Sequence, residues 1–182
     1  MDSVATMSPE ELRREVVSLS QRLQGLRRAS GMHDETGLLD RPAFLERGAA
    51  ELRRARRYDR ALGLVVVRAL PAVGESDGER AFAIADLLRA VLRDGIDQPG
   101  RLERSVWGVL LPETTLGGAL AVTDRLRLAA GRVRLPTRSG TLRLSLACAA
   151  DALLVDDGRF KDVLDRASEA LARSLGDGPA DA

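Results

Sequence analysis

The run ALGLVVVRAL at residues 61–70 constrains the chain most. It is continuously apolar rather than alternating, and it is too short for a buried helix. A segment of this kind is a strand buried on both faces. A second run, WGVLL at 107–111, reads the same way and is stopped by Pro112. Helical patterns separate and flank these strands. DRPAFLERGAAELRRARRYDR (40–60) has Asp40 to cap it, Pro42 in its first turn, and Phe44, Leu45 and Leu52 on one side. RAFAIADLLRAVLR (80–93), TLGGALAVTDRLRLAAG (115–131) and GRFKDVLDRASEALARSLG (158–176) are three further helices. PAVGESDGE is a loop, and GRVRLPTRSGTLRLSLACAA (131–150) alternates around a Ser-Gly turn as two strands. The pattern predicts an α+β domain with one mainly antiparallel central sheet flanked by helices.

The core of such a domain must be aliphatic, because the 182-residue chain is 45% hydrophobic but only 3% aromatic. Charged residues make up 30% of the chain, yet the net charge is +1, which argues against a nucleic-acid or membrane-surface binder working by bulk charge. Lys161 is the only lysine, and the RRARR run at 53–57 reads as a solvated helix face rather than a phosphate patch. Cys148, the only cysteine, lies in an apolar alternation and reads as a small buried hydrophobe. His33 is the only histidine, so no zinc spacing and no nucleophile–base pair is evident. No metal and no cofactor are expected. No leader-like segment precedes the first helix, and no apolar run reaches about 18 residues. The expectation is a soluble, cytoplasmic protein.

Residues 8–28 form a separate amphipathic helix. Ser8 and Glu11 make a capping box around Pro9, and Leu12, Val16, Leu19, Leu23 and Leu26 recur at spacings of 4, 3, 4 and 3. This seam predicts a parallel two-stranded coiled coil, hence a homodimer. The chain divides into a dimerising helix at 1–30, a domain at 31–178 and a frayed tail at 179–182.

Within the domain, HDETGLLDRPAF resembles the opening Asp-x-Leu-Thr-Gly-Leu-x-Asn-Arg-x-x-Phe of the GGDEF family, the diguanylate cyclases that join two GTP molecules into cyclic di-GMP. Thr36, Gly37, Leu38, Arg41 and Phe44 match, and Asp40 replaces the Asn. RRARRYDRALGLVVV is similar to the family's helix end and first strand, and RLERSVWGVLLPET to its signature segment. LSLACA resembles the Ser-x-Gly-x-Ala strand, and RASEALARSLGDG the final helix. The resemblance covers about residues 33–178 and implies the GGDEF, palm-like fold.

The family's chemistry is not implied with it. Its members hold magnesium ions with two carboxylates on adjacent strand ends, and the ions neutralise the GTP triphosphate and help generate the attacking 3′-oxygen. Arg68 stands at one of those positions. The signature Gly-Gly-Asp-Glu-Phe maps onto Glu103-Arg104-Ser105-Val106-Trp107, so both acids and both glycines are replaced. The lysines that grip phosphate fall near Val73 and at Leu175. The inhibitory product site, Arg-x-x-Asp, maps onto Asp94-Gly95-Ile96-Asp97, with Arg93 one place early and Arg101 retained. The resemblance therefore implies a non-catalytic, dimeric regulatory or scaffold module that binds a protein partner. Its alternative is a receptor for cyclic di-GMP or another nucleotide through Arg93, Asp97 and Arg101. An enzyme with rearranged chemistry would need acids and a base that the sequence does not supply.

Overall fold

A computed structural model describes residues 8–29, 36–70, 77–137 and 140–176. His33, Val73 and the tail lie outside the described residues, as does the junction between the expected first helix and the domain. The first helix, α1 (Pro9–Ala29), opens on a reciprocal capping box. The Glu11 N–H donates to Ser8 Oγ at 3.3 Å, and the Ser8 N–H donates to Glu11 Oε2 at 2.7 Å. That bonding holds the Glu11 carboxyl below its ordinary pKa. Leu12, Val16 and Leu19 of the seam are exposed. The side chains of Leu23 and Leu26 lie outside the described residues. None of the described helices is long and apolar enough to cross a membrane.

The domain begins with α2 (Arg41–Arg57), whose first turn is held by the Ala43 N–H donating to Asp40 Oδ1 at 2.8 Å. β1 (Leu62–Ala69), α3 (Asp77–Val91), β2 (Gln98–Glu103), β3 (Val106–Pro112) and α4 (Leu116–Ala130) follow. β4 (Arg134–Thr137), β5 (Gly140–Arg143), β6 (Leu146–Ala152) and α5 (Phe160–Gly176) complete it. The main sheet has the order β2-β3-β1-β6 with every neighbouring pair antiparallel.

The continuous apolar character of β1 reflects packing on both faces. Leu62, Leu64 and Val66 face α2 and α5, packing with Phe44, Leu52, Phe160 and Val163. Val65, Val67 and Ala69 face α3 and α4, packing with Ile84, Leu88 and Leu126. Cys148 of β6 belongs to this second core, and burial pushes its thiol up to about 11. Phe44 is fully buried over Gly100 and Gly108, which are directly paired across β2 and β3. A Cβ on either glycine would come within 2.6 and 2.4 Å of the Phe44 ring, respectively. The phenylalanine of the opening motif therefore needs a groove without side chains in the sheet.

The stretch 131–150 contains three strands rather than the expected two. β4 and β5 pair only with each other, and β6 joins β1. The break falls at Leu144-Ser145, where no Gly or Pro marks it and the apolar alternation runs on. β2 is likewise a full strand ahead of the signature turn. It is joined at its outer edge by Leu39, whose N–H donates to the Pro99 carbonyl at 3.2 Å.

Candidate functional site

The antiparallel register of β1 and β3 places Arg68 directly opposite Val106. On the other side Arg68 is opposite Ala147 of β6. The Ala69 N–H donates to the Ser105 carbonyl at 3.1 Å, which ties the signature turn to the end of β1. Arg68 is exposed, and its neighbours across both strands carry no charge. The two places where the resemblance puts metal-binding acids, the end of β1 and the signature turn, are thus adjacent in space; they hold the Arg68 guanidinium and, at the turn, Ser105 and Val106 in place of acids. Leu175 of α5 packs at the edge of the core on the same side of the sheet. No group of three or more His, Cys, Asp or Glu side chains that could hold a metal exists among the described residues.

The turn itself is held by arginine. Arg101 donates from Nη2 to the Arg104 carbonyl at 2.8 Å and from Nε to the Glu103 carbonyl at 3.4 Å. Its guanidinium carbon also lies 5.8 Å from the centre of the Trp107 ring, a cation–π distance. Arg104 reaches across to pair with Asp77 at the start of α3, and Asp77 also pairs with Arg80. Glu103 is exposed. Trp107 is fully buried, and its Nε1 has no hydrogen-bond partner.

The structure brings Arg93 and Asp97 together and places Arg101 elsewhere, on the turn. Asp97 is buried, with its side chain 1% exposed against 45% for Arg93. The Arg93 guanidinium donates to Asp97 Oδ1 from Nη2 at 2.6 Å and from Nε at 3.0 Å. The same Nη2 also reaches the Pro112 carbonyl at 3.1 Å and Thr114 Oγ1 at 3.0 Å. The hydrogen bonds to the Asp97 carboxylate raise the Arg93 pKa above its ordinary value. Gly95 turns this segment at φ 70°, and Asp97 also accepts from the Arg93 backbone N–H at 2.8 Å.

A cavity of about 640 Å³ opens beside this pair, between α2, the end of α3 and the Gly37–Leu39 edge. Arg47 and Arg89 line it together with Arg93, Asp94 and Asp97. Arg89 donates to the Thr36 carbonyl and is 3.1 Å from Asp86. A second hollow of about 370 Å³ lies on the other side of Arg93 and Gln98, against Glu51, Arg54 and Glu113. Sequence reasoning did not single out Arg47 or Arg89. They sit on different helices without a shared motif, and only the folded chain brings both to the wall of one cavity.

The order of these elements, with the signature hairpin at β2–β3 and β1 at the centre, has counterparts among solved structures. Over 82% of this chain and 96% of the other, the GGDEF domain of FimX from Pseudomonas aeruginosa superimposes with a TM-score of 0.73 at 17% identity. The fold is that of GGDEF domains. The diguanylate cyclase SiaD from Pseudomonas aeruginosa, solved with its activator SiaC, matches this GGDEF-like chain at 25% identity and a TM-score of 0.74. That match covers 93% of this chain and 71% of SiaD. The coiled coil and GGDEF domain of DgcB from Caulobacter crescentus, in complex with c-di-GMP, matches at 17% identity and 0.74, over 93% of both chains. Neither a protein-family model nor a curated protein sequence matches the chain.

Proposed function

We propose that this GGDEF-fold chain is a non-catalytic regulatory module that dimerises through α1 and acts by docking another protein. The observation that carries the reading is the pairing of Arg68 with Val106. Condensing two nucleoside triphosphates needs cations held between the end of β1 and the signature turn to offset phosphate charge. A guanidinium repels such cations, and a valine side chain offers no lone pair. Ser105 contributes a neutral hydroxyl, and Glu103 stands alone on the exposed side of the turn. SiaD binds a protein activator, which supports a protein-docking role for a GGDEF-fold chain. The test is incubation with GTP and Mg²⁺ or Mn²⁺, followed by chromatography for cyclic di-GMP. No product above a no-enzyme control is expected, and measurable product would overturn the reading.

A second reading, a cyclic di-GMP receptor, is favoured by one observation. The 640 Å³ cavity gathers Arg47, Arg89 and Arg93 in one place. Against it stands the use of Arg93, whose Nε and Nη2 are engaged by Asp97, Pro112 and Thr114. Arg101 is occupied at the turn. A calorimetric titration of cyclic di-GMP separates the two, because a receptor binds it at low micromolar affinity or better and a scaffold does not.

A further inference from the structure

The two edges of the main sheet are finished differently. At β2 the chain closes its own edge, where Leu39 donates to the Pro99 carbonyl and accepts from the Arg101 N–H at 2.7 Å. At the other edge no strand lies beyond β6 among the described residues. The ladder with β1 shows which backbone groups of β6 are left over. The Leu153 N–H donates to the Leu62 carbonyl at 2.8 Å, and the Leu70 N–H to the Ser145 carbonyl at 3.0 Å. Residues of an antiparallel strand alternate between bonding their partner strand and pointing away from it. Ala147, Ala149 and Asp151 therefore bond to β1, and Cys148, Ala150 and Ala152 turn their N–H and C=O groups outward.

Side chains cap both ends of that outward row. Arg127 of α4 donates from Nη2 to the Cys148 carbonyl at 2.6 Å. Arg166 donates to the Ala152 carbonyl at 3.1 Å, and the Ala152 N–H donates to Asp151 Oδ1 at 2.8 Å. Ala150, between them, has no such cap among the described residues. The flanking helices leave it open as well. α5 packs on the side of Ala147 and Ala149 and α4 on the side of Cys148 and Ala150, yet all three alanines stay partly exposed. With both faces of the strand covered, that exposure comes from the edge. A small-residue edge strand without lysine or proline is open to pairing with another strand.

We infer that β6 is a strand-addition site, where an extended segment of a partner protein pairs with Cys148 and Ala150 and brings an acidic side chain to Arg127. The edge is then the surface for the protein docking proposed above, and the assignment stands on that reading. An added strand supplies its own N–H to the Cys148 carbonyl, which releases the Arg127 guanidinium. Arg127 is 47% exposed, and its pair with Asp124, itself 77% exposed, is 3.6 Å long. A pair so solvated contributes little, so an acid on the incoming strand gives the released guanidinium a closer partner. Arg166 is not released in the same way, because Asp151 and buried Asp157 hold it. The added strand therefore stops short of Ala152. A second copy of β6 fits poorly, since its one charged residue, Asp151, is held by Arg166 on the α5 side.

The probe is a fluorescein-labelled peptide with blocked ends, Thr-Val-Thr-Glu-Thr-Val-Thr, titrated with the full chain and followed by anisotropy. Its expected dissociation constant is about 100 μM or tighter. Ala150→Pro removes an outward N–H and leaves the ladder to β1 intact, so this variant should stay folded and bind about tenfold more weakly. The same peptide with every amide N-methylated keeps its side chains, cannot donate to the edge, and should not bind. That control needs no change to the protein. Glutamine in place of the glutamate should weaken binding about threefold with the wild type and have no effect with Arg127→Ala. Equal binding of the methylated peptide, or of the unmodified peptide to folded Ala150→Pro, overturns the strand-addition site. Absence of binding to the wild type overturns it too and leaves the docking reading in place, whereas cyclic di-GMP formed from GTP overturns that reading itself. A dimer in light scattering that Ala150→Pro converts to monomer makes a second copy the occupant and overturns the assignment to a partner.

Discussion

Arg93→Ala separates a structural role for the Arg93–Asp97 pair from a ligand-binding one. The substitution removes every side-chain donor that Asp97 receives from Arg93 and leaves its carboxylate with the Arg93 backbone N–H at 2.8 Å. It also removes the Arg93 donor from the Pro112 carbonyl and the Thr114 hydroxyl at the end of β3, leaving the bond that Thr114 Oγ1 donates to Pro112 at 3.0 Å. Breaking a fully buried ion pair costs about 3–5 kcal/mol, because one charge stays behind without compensation. Here Asp97 is buried but Arg93 is 45% exposed, so water already screens part of the interaction. The expected loss is about 2 kcal/mol. Urea unfolding followed by the fluorescence of Trp107, the single tryptophan, measures it directly, since that ring is fully buried. Adding Asp97→Asn to the Arg93→Ala chain should recover about half of the loss, because the uncompensated charge is gone. A loss below about 0.5 kcal/mol for Arg93→Ala would refute the structural role. If that variant also lost cyclic di-GMP binding shown by the wild type, Arg93 would be a ligand group.

Two further substitutions probe the frame around the site. Gly108→Ala brings a Cβ to within 2.4 Å of the Phe44 ring and should cost about 1–3 kcal/mol in urea unfolding, with partial recovery on adding Phe44→Leu. Equal loss with and without the Phe44 change would show that the clash is not the cause. Arg166 of α5 pairs with Asp151 at 2.7 Å and with buried Asp157, clamping the turn that follows β6. The Arg166 hydrogen bond holds the Asp157 carboxyl below its ordinary value. Its contribution is therefore fully present above about pH 4, the unfolded pKa, and is lost as pH falls through the lower folded pKa. Arg166→Met should lower the urea midpoint at pH 7, and its gap from the wild type should close as the pH is lowered below 4. A gap independent of pH would mean that the clamp works through packing alone.

The ends of helices were legible in the chain because they depend on neighbours in sequence. Ser8 with Glu11, and Asp40 with Ala43, bond within three residues. The central strand was equally plain, since only burial on both faces tolerates Leu62 to Val67 without a polar interruption. The identities at the expected metal positions, Arg68 and Ser105-Val106, could be read directly, because which groups can ligate is a property of the residues themselves. Tertiary structure alone decided where each group points and what it touches. Arg93 and Arg101 looked like equivalent remnants of one site, yet one is bound to Asp97 and the other to the signature turn. Arg47 and Arg89 had no motif between them and share a cavity wall. Nothing in the sequence set Gly100 and Gly108 apart, yet Phe44, more than fifty positions away, fills the space above them. A side chain's partners come from segments distant in sequence, and only the folded chain brings those segments within reach.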